Sequence, residues 1–89
     1  MAAVIGRLTA DPELWYTAAG TPLGEFSLIT TGKGGGERIR ICSTGRLAEK
    51  CAEHLAKGYV VEVSGGFETR NGKWCFVADE IRGQGIGGL

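Results

Sequence analysis

Gly45-Arg46-Leu47-Ala48-Glu49-Lys50-Cys51-Ala52-Glu53-His54-Leu55-Ala56-Lys57-Gly58 is the one stretch of this chain with helical periodicity. Leu47, Cys51 and Leu55, flanked by Ala48 and Ala52, recur at the spacing that lines one side of a helix. Glu49, Lys50, Glu53 and His54 take the wet side. A start at Thr44 or Gly45 and an end at Lys57 are expected, with a cation in the last turn and Gly58 as left-handed terminator. Everything on either side reads as strand.

Just upstream, Glu37 to Ser43 alternates Arg38, Arg40 and Cys42 against Ile39, Ile41 and Ser43. Period two with isoleucines on one side predicts a half-buried strand whose other face presents arginines. Before it come Gly32-Lys33-Gly34-Gly35-Gly36, a flexible loop, and Leu23 to Thr31, a strand with Phe26 and Leu28 on one side. Glu25, Ser27 and Ile29 share the other side. Earlier still, Ala3 to Leu8 is a short apolar strand that breaks at Asp11-Pro12, and Glu13 to Thr17 continues it as a bent extension. Downstream of the helix, Tyr59 to Thr69 and Lys73 to Ile81 are strands. Asn71-Gly72 between them suits a two-residue type I′ hairpin turn.

Three strands, one helix and two strands give an all-β fold: a five-stranded Greek-key OB-fold barrel with one α-helix between strands 3 and 4. One OB-fold domain over residues 1–82 is expected, followed by a flexible glycine-rich tail over 83–89. Tyr16 and Phe67 are expected in the core; Trp15 and Trp74 fit either core or surface.

Eighty-nine residues allow one small core, and 43% apolar residues argue against disorder. Ten basic and ten acidic residues cancel, so global charge does not announce a nucleic-acid partner. A local stripe of like charge can still act where the total is zero. No charged segment followed by an apolar run is visible, and no apolar stretch nears the ~18 residues that span a bilayer. Cys42, Cys51 and Cys75 are odd in number and far apart, which points to reduced thiols and a cytoplasmic location.

Catalysis has no foothold. Cys51 and His54 give two metal ligands at most, so no metal and no cofactor are expected. With a single histidine, no nucleophile–base constellation can be assembled around Cys51 or Cys75. The Gly32–Gly36 run lacks the Gly-Lys-Ser/Thr ending of a phosphate loop, and Gly83-x-Gly85-x-x-Gly88 opens no helix.

Three blocks carry a family resemblance: Ile5-Gly6-Arg7-Leu8-Thr9-Ala10-Asp11-Pro12-Glu13-Leu14, Gly45-Arg46-Leu47-Ala48-Glu49 and Leu55-Ala56-Lys57-Gly58. Together they resemble the bacterial single-stranded DNA-binding protein family, from about Val4 to Ile81. The resemblance implies a non-catalytic OB fold that binds single-stranded DNA, or RNA, and assembles as a homodimer or homotetramer. OB folds bind oligonucleotides across strands 2 and 3, between the 1–2 and 4–5 loops. Carried onto this sequence, that face offers Lys33, Arg38, Arg40, Thr44, Arg70, Lys73 and Trp74. Glu37 and Glu68 oppose these cations and could instead neutralise them on a solvated sheet.

The departures are specific. Family members usually carry aromatics at the positions of Arg38 and Thr44 and in the 2–3 loop, which here holds only glycines and Lys33. The hairpin between strands 4 and 5 is cut to a two-residue turn. Each missing platform removes about 1–3 kcal/mol per stacked base, while arginine partly substitutes by stacking its planar guanidinium. Two aromatics could replace the lost platforms: Trp74 beside the tight hairpin, the better placed, and Trp15, which sits where the family usually has a polar residue. These shortenings look more like the primosomal DNA-binding protein of replication restart, an accessory binder. The rival expectation is an OB-fold protein-interaction or structural module that has lost nucleic-acid binding.

Overall fold

Alternation along each strand becomes a ring of strands around one apolar interior. The computed structural model describes residues 2–83 and 87–89. In chain order the elements are β1 (Ala2–Leu8), β2 (Glu13–Tyr16), β3 (Pro22–Thr30), β4 (Arg38–Thr44), α1 (Gly45–His54), β5 (Val60–Arg70), β6 (Lys73–Gly83) and β7 (Gly87–Gly88). β1 pairs antiparallel with both β5 and β3. β3 pairs with β4, β5 with β6, and β4 runs parallel to β6 through Ile41↔Phe76 and Cys42↔Val77. The ring thus closes through two short seams, β4–β6 and β1–β3. This is the expected five-stranded OB arrangement, with β2 as the bent extension of the first strand, laid against β3.

Leu8, Phe26, Leu28, Ile41, Val61, Val63, Phe76 and Ile81 fill the interior. Each contributes roughly 1.5–3 kcal/mol through burial of its side chain. α1 lays Cys51 and Ala48 against the ring, and Leu55 follows them in. Burial pushes the Cys51 thiol up to about 11, against a smaller opposing hydrogen bond with Ser43, so it is an uncharged packing group at neutral pH.

The long hairpin bends at a register shift between Ser64 and Gly65. A Cβ at Gly65 would lie 1.9 Å from the Val77 carbonyl oxygen, so only glycine permits this close approach. At the tip, Asn71 at φ 53° and Gly72 at φ 76° supply the two positive dihedrals of a type I′ turn.

Three expectations need revision. First, α1 ends at His54, three residues before Lys57. Leu55 turns extended to reach the core, and the next amides bond elsewhere: Lys57 N–H to Asp11 Oδ1 at 2.9 Å and Gly58 N–H to Leu8 O at 2.9 Å. Tertiary acceptors at the end of β1 and just after it outcompete another helical turn. Second, Cys42 and Cys75 form a disulfide between β4 and β6, with Cα atoms 6.3 Å apart, rather than standing as separate thiols. The parallel seam aligns Cys42 with Val77, and Cys75 lies two residues away on the same face.

Third, Tyr16 and Phe67 are more than half exposed, not core residues. Tyr16 reaches α1 and donates from its hydroxyl to Glu49 Oε2 at 3.1 Å, which raises its pKa above the usual phenol value. Phe67 stands where the hairpin outruns the barrel. After β6 the chain makes a short return at its described residues. Gly83 belongs to β6, Gly87–Gly88 pairs back on it, and Leu89 donates to Ile81 O and packs on the core. Residues 84–86 of the tail expected over 83–89 lie outside the described residues.

Candidate nucleic-acid interface

Four rows of directly paired residues cross the outer face of β2, β3 and β4. Trp15, Leu23 and Thr44 form one row, and Glu13, Glu25 and Cys42 the next. Ser27 beside Arg40 and Ile29 beside Arg38 complete the set. Opposite numbers in a register share a face, and the intervening Phe26, Leu28 and Ile41 are buried. The sequence alternation therefore assigned the arginines to the outer face correctly.

The β5–β6 hairpin rises beside this face as a wall. Arg70 and Lys73, paired across its tip, join Asn71, Trp15, Leu23, Glu25, Arg40 and Cys42 around a cleft of about 500 Å³. A second hollow of about 190 Å³ continues past Glu25 to Arg38, lined also by Thr9, Asp11, Glu13 and Ser27. The two form one interrupted groove with Glu25 at the divide.

Arg40 is held in place. Its Nη2 donates to the Trp74 carbonyl at 3.2 Å, and its Nε lies 3.9 Å from Glu25 Oε1. Its carboxylate partner is thus Glu25 of the neighbouring strand, not Glu37 or Glu68. Arg38 donates to Thr9 Oγ1 at 3.3 Å. Among the described residues, Lys33, Arg38, Arg70 and Lys73 have no carboxylate within ion-pair distance, leaving their charge for an external anion. Asp11, Glu13 and Glu25 make the groove mixed in sign, which the expected basic stripe did not include.

Of the residues singled out from sequence, Arg40, Arg70 and Lys73 meet in the larger cleft and Arg38 in the smaller hollow. Thr44 ends the outer face beside Leu23 and supplies no side-chain cap to α1. Lys33 stands exposed in the β3–β4 turn, at the Arg38 end. Trp74 is elsewhere. It shares a face with Phe76, pairs with Thr69, and packs edge-on to Phe67 at 6.4 Å and 82°. That is the reverse side of the hairpin from Arg70 and Lys73. Sequence reasoning weighed Trp15 only as a second candidate platform and omitted Leu23, Glu25 and Asn71 from the site. The period-two pattern of Leu23 to Thr31 held a usable signal for two of them, Leu23 and Glu25.

This groove lies on an OB barrel, and the chain matches the Single-strand binding protein family over residues 1–74. It belongs to that family. Among relatives, the single-stranded DNA-binding protein of Caldanaerobacter subterraneus is 38% identical over 95 residues, covering 89% of this chain and 63% of the relative. Single-stranded DNA-binding protein A of Bacillus subtilis is 40% identical over 75 residues, covering 76% and 44%. Among solved structures, a deletion mutant of the Thermus aquaticus single-stranded DNA-binding protein superposes with a TM-score of 0.83 at 27% identity, covering 92% of this chain and 39% of that one. The chain spans roughly half the length of these curated relatives. Among the described residues no helix is long and apolar enough to cross a membrane, and no cluster of three metal-ligating side chains occurs.

Proposed function

We propose that this single-strand binding family member binds single-stranded DNA, without catalysis, along the groove over β3 and β4. The observation that carries the reading is a cleft with an aromatic side chain on one wall and two unpaired cations, Arg70 and Lys73, on the other. Single-strand binders combine such stacking surfaces with cations that follow the phosphates. Lys33, Arg38 and Arg40 extend the cationic path toward the β3–β4 turn, and Thr44 marks the opposite end. RNA offers the same phosphates and bases and is the alternative ligand. A cytoplasmic role in replication, repair or recombination fits this chemistry. With few platforms and a groove of mixed sign, binding is accessory in strength, in keeping with the likeness to the primosomal type.

The chain self-associates in this reading, as a homodimer or homotetramer. Ile5 and Tyr59 are large apolar residues left about half exposed beside β1, and so small a core gains from a partner. Light scattering from micromolar concentrations downward should give a mass above that of one chain; a constant single-chain mass would remove this part.

Binding is tested by titrating labelled oligo-dT at two salt concentrations. Arg38→Ala with Arg40→Ala should weaken affinity and shallow the log–log salt slope by about 0.7 for each phosphate no longer neutralised. The melting temperature should barely move. Equal affinity in wild type and double variant would remove the β4 arginines from the site. The interaction-module reading rests on a different observation, the exposed Phe67 and Trp74 behind the hairpin, and predicts no oligonucleotide binding by the wild type.

A further inference from the structure

Resting on the single-strand reading above, we propose that Trp15 is the base-stacking platform of this protein and that Trp74 is not. The two tryptophans are exposed, 43% and 67% accessible, and exposure alone would favour Trp74. Position reverses that order. Trp15 lies opposite Leu23 in the β2–β3 register, on the outer face that continues through Cys42 and Arg40. It forms one wall of the 500 Å³ cleft. Among the described residues no aromatic ring packs against it, so its face is open to a ligand. Trp74 lines neither hollow and spends one side on Phe67 behind the hairpin.

The walls also fix how a strand would lie. Trp15 and Leu23 make the β2 side apolar, while Arg70, Asn71 and Lys73 make the hairpin side cationic and polar. Glu25 stands between them, its carboxylate already beside Arg40 at 3.9 Å. That pair balances the floor, so the cations of this cleft without a carboxylate partner among the described residues, Arg70 and Lys73, draw phosphate to the hairpin side. A nucleobase, flat and uncharged, is left to the indole. The cleft is of the size that holds a small ligand, ample for one base with its sugar. The occupant is therefore one nucleotide of a single strand, base toward β2 and backbone toward the hairpin.

The full chain provides the test through its intrinsic fluorescence. Trp74→Phe leaves Trp15 as the sole indole and should quench as oligo-dT is added; Trp15→Phe leaves Trp74 and should not. Trp15→Ala should weaken affinity about 5- to 150-fold, the loss of one stacked base, with the salt slope unchanged because every phosphate-binding cation is kept. Trp15→Phe should recover most of that affinity. Wild-type affinity in Trp15→Ala, or quenching that arises from Trp74, overturns the assignment while leaving single-strand binding intact. Absence of oligonucleotide binding by the wild type at low salt overturns both.

Discussion

The β5–β6 hairpin shifts register once, between Ser64 and Gly65, and its base and its tip have opposite fates. At the base, Val61, Val63, Ile81 and Phe76 are sealed in the barrel. Toward the tip, Phe67 and Trp74 continue the face of Phe76 but stand in the open. From Phe76 outward to Trp74 the pairing runs on without a further shift. What changes is the cover: β1 pairs with β5 only from Val60 to Gly65, so the hairpin beyond runs past the ring. Three edge-to-face rings, Trp74 on Phe67 and Phe67 on Phe76, bridge the two regions. Period two decides which side a residue faces, and tertiary cover decides whether that side is dry.

The sharpest way to break this comparison is at Phe76, where core and tip meet. Phe76→Ala should destabilise the fold by about 3–5 kcal/mol, measured by denaturant unfolding, because a fully buried ring leaves a cavity. Each kcal/mol should lower Tm by about 4–8 °C in a domain this size. A loss near that of an exposed residue would mean the base is no better packed than the tip.

A smaller effect is expected from the disulfide, which ties the upper hairpin to β4 through Cys75 and Cys42. Closing a loop across a sequence separation of 33 restricts the unfolded chain, so reduction should cost about 2–4 kcal/mol. Unfolding curves in the presence and absence of a phosphine reductant, read against Cys51→Ala to remove the third thiol, check it. Identical curves would mean that the short β4–β6 seam holds without the bond.

The smallest effect belongs to the tip. Trp74→Ala removes one edge-to-face pair and little buried area, so a loss of about 0.5–1.5 kcal/mol is expected. Destabilisation matching Phe76→Ala would show that the tip is covered in solution, for example by a second copy of the chain.

Much of the fold was legible. The Leu47 and Cys51 part of the helical stripe, the Asn71-Gly72 turn and the alternating arginines of β4 are local patterns, and each stands where the pattern put it. The three-residue excess at the end of α1 was not legible. It depends on Asp11 and Leu8, more than forty residues away, offering acceptors to Lys57 and Gly58. The disulfide was hidden for the same reason, since a parallel seam between distant strands aligns its cysteines. In the site, Arg38 and Arg40 could be read from one strand. The cleft could not, because it needs β2 on one side and the hairpin on the other.

The sequence by itself determined the order of the main elements, the outward face of the β4 arginines and the turn type. Those properties follow from dihedral preference and side-chain period, which act over a few residues. Only the tertiary structure decided which outward aromatics meet which outward cations. Trp15 and Lys73 are 58 positions apart, and bringing them to one cleft takes the β2–β3 register, the β3–β4 register and the parallel β4–β6 seam together. Trp74, one residue from Lys73, is turned away by the same pleat that turns Lys73 in.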